Sequence, residues 1–309
     1  MLDGFEAAQI DTVETNIFVR WSGSGPAILL LHGFPETHLM WRDVAPTLAR
    51  RFTVVCADLR GYGASGCPDS AADHAPYAKR AFARDMVAVM DHLGYSRFSV
   101  AGHDRGGRVA YRLALDHPSR IDRVAVLDIL PTATVWDRAD ARFALGYWPW
   151  SFLAQPAPLP ERLIASAPQA IIDDALANWG SSSAIFSDDI RAAYVDALTN
   201  SEHVHAICEE YRAAATLDRE HDAIDRTNGR RITSPLLVLW SGRGALSDWY
   251  GAAGPLMLWR EWADNVEGRA VDAGHFFPEE VSDETADALM RFFLAERADI
   301  RKTQPHPAT

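Results

Sequence analysis

Residues 98–113, Phe-Ser-Val-Ala-Gly-His-Asp-Arg-Gly-Gly-Arg-Val-Ala-Tyr-Arg-Leu, constrain this chain more than any other stretch. A β-prone run, Phe98 to Ala101, meets Gly102-His103-Asp104-Arg105-Gly106, after which the pattern becomes helical. That is a strand, a tight turn and a helix, and the turn has the spacing G-x-Nuc-x-G with aspartate at its centre. Glycines at 102 and 106 suit a strained, closely packed turn. The residue between them is thrust out at a helix N-terminus, where a carboxylate is electrostatically favoured. Two roles fit Asp104: a nucleophile that forms an alkyl-enzyme ester, or an N-cap that merely closes the helix.

The flanking sequence favours the first. Ala27 to Leu31 is a solid apolar run, as expected of a strand buried on both faces, and it ends in His32-Gly33-Phe34-Pro35. In α/β-hydrolases an H-G-x-P loop here contributes a backbone N–H to an oxyanion hole, and the residue after the nucleophile contributes the second. The expected donors are the amides of Phe34 and Arg105. Phe52 to Ala57 and Arg123 to Leu127 read as further buried strands, and Asp128 stands at the C-terminal end of the latter, where functional groups gather in open parallel sheets. An amphipathic helix is expected over 78–94, stopping at Gly94. Strands are again expected at Pro235 to Trp240 and near Glu267 to Val271. The second is followed by Asp272-Ala273-Gly274-His275-Phe276, which supplies a histidine third in the order Asp104, Asp128, His275. Asp248, after the Pro235–Trp240 strand, is the alternative acid for that histidine. The fold class expected is α/β-hydrolase, a mostly parallel eight-stranded sheet flanked by helices.

From Pro131 no Val/Ile strand run appears until about Pro235. The interval holds short helical patterns, many aromatic residues and the segment Gln155-Pro156-Ala157-Pro158-Leu159-Pro160. An all-helical cap over 132–216 is expected, inserted into a core formed by 1–131 and 217–309. A net charge of −12 argues against nucleic acid or anionic membrane as a partner, and requires a local cationic site for any anionic ligand. No apolar run approaches a membrane span, and Met-Leu-Asp-Gly-Phe-Glu lacks the basic and apolar regions of a secretory signal. Cys56, Cys67 and Cys208 are scattered and read as reduced thiols. A cytoplasmic enzyme without metal or cofactor is expected.

A carboxylate nucleophile suits displacement at an sp³ carbon, expelling halide or opening an epoxide; water deprotonated by His275 then hydrolyses the ester. Arg105 and Arg108, three apart on the first turns of the helix, share a face beside that nucleophile and call for a substrate that carries its own carboxylate. The elbow Gly102-His103-Asp104-Arg105-Gly106-Gly107-Arg108 and the segment Val126-Leu127-Asp128-Ile129-Leu130-Pro131 resemble the fluoroacetate (haloacetate) dehalogenases of the α/β-hydrolase fold. The likeness continues through His32–Thr37, Gln155–Pro160, Cys208–Ala214 and Trp259–Ala263, covering nearly the whole chain. It implies Asp104, Asp128 and His275 as the catalytic triad, Arg105 and Arg108 as the carboxylate clamp, Trp150 and Tyr211 in a halide pocket, and a homodimer. One position departs: where that family has a histidine directly before the halide-binding Trp, this chain has Pro149, which donates no hydrogen bond. His38 is a candidate replacement donor. An epoxide hydrolase is the competing expectation, with Tyr147 the candidate second tyrosine beside Tyr211. A haloalkane dehalogenase and a non-catalytic receptor are less well matched to Arg105 and the intact triad.

Overall fold

The computed structural model describes residues 2–251 and 254–295; the remaining positions assigned above to the core lie outside the described residues. Eight strands form one sheet: β1 Glu6–Asp11, β2 Asn16–Gly23, β3 Ala27–Leu31, β4 Thr53–Ala57, β5 Phe98–His103, β6 Ile121–Leu127, β7 Leu236–Ser241 and β8 Val266–Val271. Their spatial order is β1-β2-β4-β3-β5-β6-β7-β8. β2 runs antiparallel to both neighbours, and every other pairing is parallel. The expected architecture is therefore the observed one.

The apolar runs read as strands are wholly buried in β3, β4, β5 and β7, because helices cover both faces of a parallel sheet. On one face Phe82, Met86 and Met90 of the helix Lys79–His92 pack with Val109 and Leu113 of the helix Asp104–Asp116. On the other, Trp41, Leu48, Phe277, Leu289 and Phe292 close a second layer. β1 has no counterpart in the sequence reading. Its Glu-Ala-Ala-Gln start is poorly β-prone, and pairing with β2 overrides that preference.

Between β6 and β7 eight α-helices follow one another, from Thr132–Asp137 to Ser201–Ala215 and Leu217–Thr227, and this interval contains no named strand. Residue 216, the expected end of the cap, lies between the last two of these helices. Trp136, Phe143, Tyr147 and Trp150 form an aromatic cluster within the cap, and Trp249, which follows β7, packs against it. A buried ion cluster fastens the two layers. Arg112 reaches Asp222 and Asp225, both at 2.5 Å, while Tyr111 donates to Asp222 at 2.9 Å and the Ala133 amide does so at 3.0 Å. Among the described residues, no helix is long and apolar enough to cross a membrane.

Candidate active site

The ends of four parallel strands converge on Asp104. Strand β5 turns into the helix Asp104–Asp116 with no intervening loop, and Asp104 adopts φ +41°, the left-handed region that L-residues rarely enter. The glycines make that turn possible. A Cβ at Gly102 would lie 2.2 Å from the Gly106 carbonyl oxygen, and one at Gly106 would lie 2.4 Å from the His32 carbonyl oxygen. The loop after β3 comes equally close, since a Cβ on Gly33 would stand 2.5 Å from that of Asp104. This contact lets the Phe34 amide donate to Asp104 Oδ2 at 3.1 Å. Burial works against the charge on Asp104, but His275, Arg105, Arg108 and His103 together hold its carboxyl below the ordinary aspartate range. A buried carboxylate at a strained turn suits a nucleophile, and Asp104 is the first residue of the helix, the N-cap position being His103, which makes no side-chain capping bond.

Asp128 and His275 meet as the chain order requires. His275 Nδ1 lies 2.6 Å from Asp128 Oδ2, and the other oxygen of that carboxylate accepts from the Ser241 amide at 2.8 Å. Asp128 is also left-handed, at φ +54°, which swings its side chain across the end of β6 toward the loop after β8. His275 Nε2 is buried and has no partner among the described residues, so it is the ring nitrogen free to accept a proton. Asp248 lines the same cavity, yet the acid bonded to His275 is Asp128.

Arg105 and Arg108 are both fully buried. Arg105 Nε donates to Glu210 Oε1 at 2.8 Å, and its two terminal nitrogens have no partner among the described residues. Glu210 itself accepts from Tyr62 at 2.6 Å and pairs with Lys79 at 2.7 Å. Despite burial, Arg105 and Lys79 pull the Glu210 carboxyl down to about 2. Arg108 Nη1 donates to the Leu130 carbonyl at 2.8 Å and its Nε has no partner among the described residues. A buried guanidinium with free N–H groups is costly unless an anion meets it. Sequence reasoning missed Glu210, although it adjoins Tyr211; nothing in the linear pattern shows that its carboxylate reaches back to the elbow helix.

A cavity of about 300 Å³ opens on Asp104, Asp128 and His275. Trp150, Tyr211, Pro149, Tyr147 and Trp179 of the cap line it, with Asp248 and Trp249 from the segment after β7. The two arginines do not line it directly. They lie against the aromatic side chains that do: Arg105 sits 4.0 Å over the Tyr211 ring and Arg108 4.3 Å over the Trp150 ring. Such stacking makes the ring N–H and O–H stronger donors toward an anion. His38, expected as a replacement donor, is not in this wall. Its Nδ1 is bonded to Asp58 Oδ1 at 2.8 Å, which corrects that expectation: the Asp58 carboxylate captures it at the far side of the loop. Trp179 is one of several cavity residues the sequence did not single out. Its indole stands edge to face with His275 at 5.5 Å and its Nε1 is buried with no partner among the described residues. Among the described residues no cluster of His, Cys, Asp or Glu is arranged to hold a metal ion.

Fold and site together define an α/β-hydrolase with a carboxylate at its elbow, and the family model for the α/β-hydrolase fold matches residues 26–280. A fluoroacetate dehalogenase from Burkholderia sp. is 40% identical over 305 residues, spanning 98% of this chain and 99% of that one. A soluble epoxide hydrolase from Corynebacterium sp. strain C12 is 33% identical, covering 89% of this chain and 93% of its own. Among solved structures, a protein of Nostoc sp. PCC 7120 superposes with TM-score 0.92 at 45% identity, covering 96% of this chain and all of that one. The chain belongs to the α/β-hydrolases and, within them, to the fluoroacetate dehalogenase family.

Proposed function

We propose that the protein hydrolyses short 2-haloacids such as chloroacetate or fluoroacetate to the 2-hydroxyacid and halide. One observation carries this reading: two buried guanidinium groups, each with N–H groups unpartnered among the described residues, stand beside the elbow carboxylate and directly behind the Tyr211 and Trp150 rings of the cavity wall. That concentration of positive charge suits a substrate with its own carboxylate. The Phe34 amide already holds Asp104 Oδ2, which leaves Oδ1 to attack. An Oδ1–carbon bond forms as the carbon–halogen bond breaks, and halide departs toward Trp150 and Tyr211. Water then adds to the Asp104 carboxyl carbon while His275 Nε2 takes its proton. The oxyanion develops on Oδ2, against the Phe34 and Arg105 amides. Collapse expels the hydroxyacid, whose alkoxide takes the proton from His275, and leaves Asp104 as a carboxylic acid that returns to the carboxylate by releasing the water's second proton to solvent. Asp128 orients the imidazole and balances its transient charge.

Pro149 supplies the halide no donor, which leaves the Trp150 indole and the Tyr211 hydroxyl, with the Trp179 indole also in the cavity wall. Fluoride, small and strongly hydrated, suffers most from a missing donor, so chloroacetate is expected to turn over faster than fluoroacetate. Tyr147 and Tyr211 both line the cavity, and this favours a second reading as an epoxide hydrolase, in which paired tyrosines protonate the opening ring. Parallel incubation with chloroacetate and styrene oxide separates the two. Chloride and glycolate release without diol is the expected result, and diol formation alone overturns the proposal.

A further inference from the structure

His103, the last residue of β5, is fully buried directly behind the candidate triad, and its surroundings specify its charge. Its Nε2 lies 2.9 Å from the His275 carbonyl oxygen, and a carbonyl only accepts, so Nε2 carries a proton. Its Nδ1 lies 3.0 Å from Glu36 Oε2. The other side of Glu36 settles which of these two atoms donates. Glu36 Oε1 and Glu279 Oε2 are buried and no donor among the described residues reaches either, while the two carboxyl groups stand close enough to act on each other's charge. Two carboxyls in that relation hold one proton between them. The far oxygen of Glu279 accepts from Arg42 and, at 3.0 Å, from Tyr194. If Glu36 carried a second proton on Oε2, both acids would be neutral and Arg42 would lose its buried counter-charge, keeping only the half-exposed Asp43 at 3.3 Å. Glu36 is therefore the carboxylate, and Nδ1 donates.

We propose that His103 is a standing imidazolium, kept charged by a proton-sharing Glu36–Glu279 pair, and that it acts as a positioning residue. Its Nε2–H fixes the backbone of His275 to the end of β5, and its charge keeps Asp104 ionised without engaging Arg105 or Arg108. Only this assigned role rests on the function proposed above; the charge state does not. The groups facing the ring are Glu36 from the loop after β3, Asp104 and Asp128 at the ends of β5 and β6, and His275 after β8. Glu279, Arg42 and the cap residue Tyr194 form the outer part of the chain. The electrostatics agree: burial opposes the charge, yet Glu36 outweighs it and lifts His103 to about 9. Burial and the Glu36 carboxylate push Glu279 well above the usual carboxylate range, which places the shared proton on Glu279.

The test uses the full chain labelled with ¹⁵N-histidine, with His103 signals assigned by their loss in His103→Gln. Both ring nitrogens of His103 are expected to stay protonated through neutral pH, and a neutral tautomer at pH 7 overturns the proposal. Glu36→Gln should bring the titration of His103 to or below neutrality. Glu279→Gln should leave it in place, because the amide N–H replaces the acid proton toward Glu36 and its oxygen still serves Arg42 and Tyr194. An equal fall in both variants overturns the shared-proton assignment. For the role, single-turnover alkylation by chloroacetate in His103→Gln, or in Glu36→Gln if the first does not fold, should show its acid limb moved up by about one pH unit, with kcat reduced and KM held. An unmoved limb removes the positioning role. No turnover by the parent enzyme removes the functional reading and leaves the spectroscopic test standing.

Discussion

At the residue scale the site separates a reacting pair from the groups that aim it. Asp104→Asn removes the nucleophile and is expected to abolish turnover. His275→Asn blocks only ester hydrolysis, so peptide mass spectrometry after haloacetate treatment should find the carboxymethyl ester on the peptide that contains Asp104. An unmodified peptide would rule out the covalent route. Glu210 touches neither reacting atom, but it holds Arg105 by its Nε. Glu210→Gln keeps an acceptor and loses the charge, so KM for chloroacetate should rise about tenfold with a smaller change in kcat, the scale of a charged hydrogen bond. A KM unchanged in that variant would detach Glu210 from substrate binding. The proposed clamp was suggested by the sequence because Arg105 and Arg108 are close along one helix. Its support was not, because Glu210 reaches Arg105 from a helix more than a hundred positions away.

At the scale of elements, the sheet and the elbow were readable from local patterns: apolar runs for the buried strands, glycine spacing for the turn, and chain order for the triad. Those signals are short-range, and each is set by burial on two faces or by steric exclusion of a Cβ. The cap was readable only as an absence of strand runs with an aromatic texture, since which of its rings face the nucleophile depends on how the helices pack. Trp179 shows this. It follows the helix Pro168–Asn178, and nothing in its neighbours marks it as a wall of the cavity. Gly33 packs closely on the Asp104 side chain: a Cβ on Gly33 would lie 2.5 Å from the Asp104 Cβ and 3.0 Å from its Oδ2. Gly33→Ala should leave the fold cooperative by circular dichroism and displace the nucleophile from the Phe34 amide, lowering kcat by about 10²-fold. Wild-type kcat in that variant would refute the assigned oxyanion geometry.

At the scale of the molecule, buried charges determine how stability follows pH. His103 is raised from 6.5 to about 9, so its contribution is whole below the lower value and disappears as pH rises through the upper one. Glu210 is lowered from 4.5 to about 2, so its contribution is whole above the higher value and disappears as pH falls through the lower one. Asp222 acts oppositely between: burial, against Arg112, lifts it from 3.8 to about 6, and stability declines as pH rises across that interval. The melting temperature should therefore peak on the acid side of neutrality and fall steadily toward pH 9. His103→Gln should flatten the alkaline decline; a decline of equal slope would assign it to other groups.

The seam between cap and core carries a further consequence. The Trp179 carbonyl accepts the His275 amide at 2.9 Å, Ser181 Oγ accepts the Phe276 amide at 3.1 Å, and a Cβ on Gly274 would lie 2.1 Å from the Ser181 nitrogen. The cap is thus stitched by its backbone to the loop that bears His275, the proposed base. Exchanging caps among relatives to obtain new substrate ranges therefore means moving residues 179–181 and 274–276 as one cassette; a graft cut at the cap boundaries alone would leave the base misaligned while the chimera still folds.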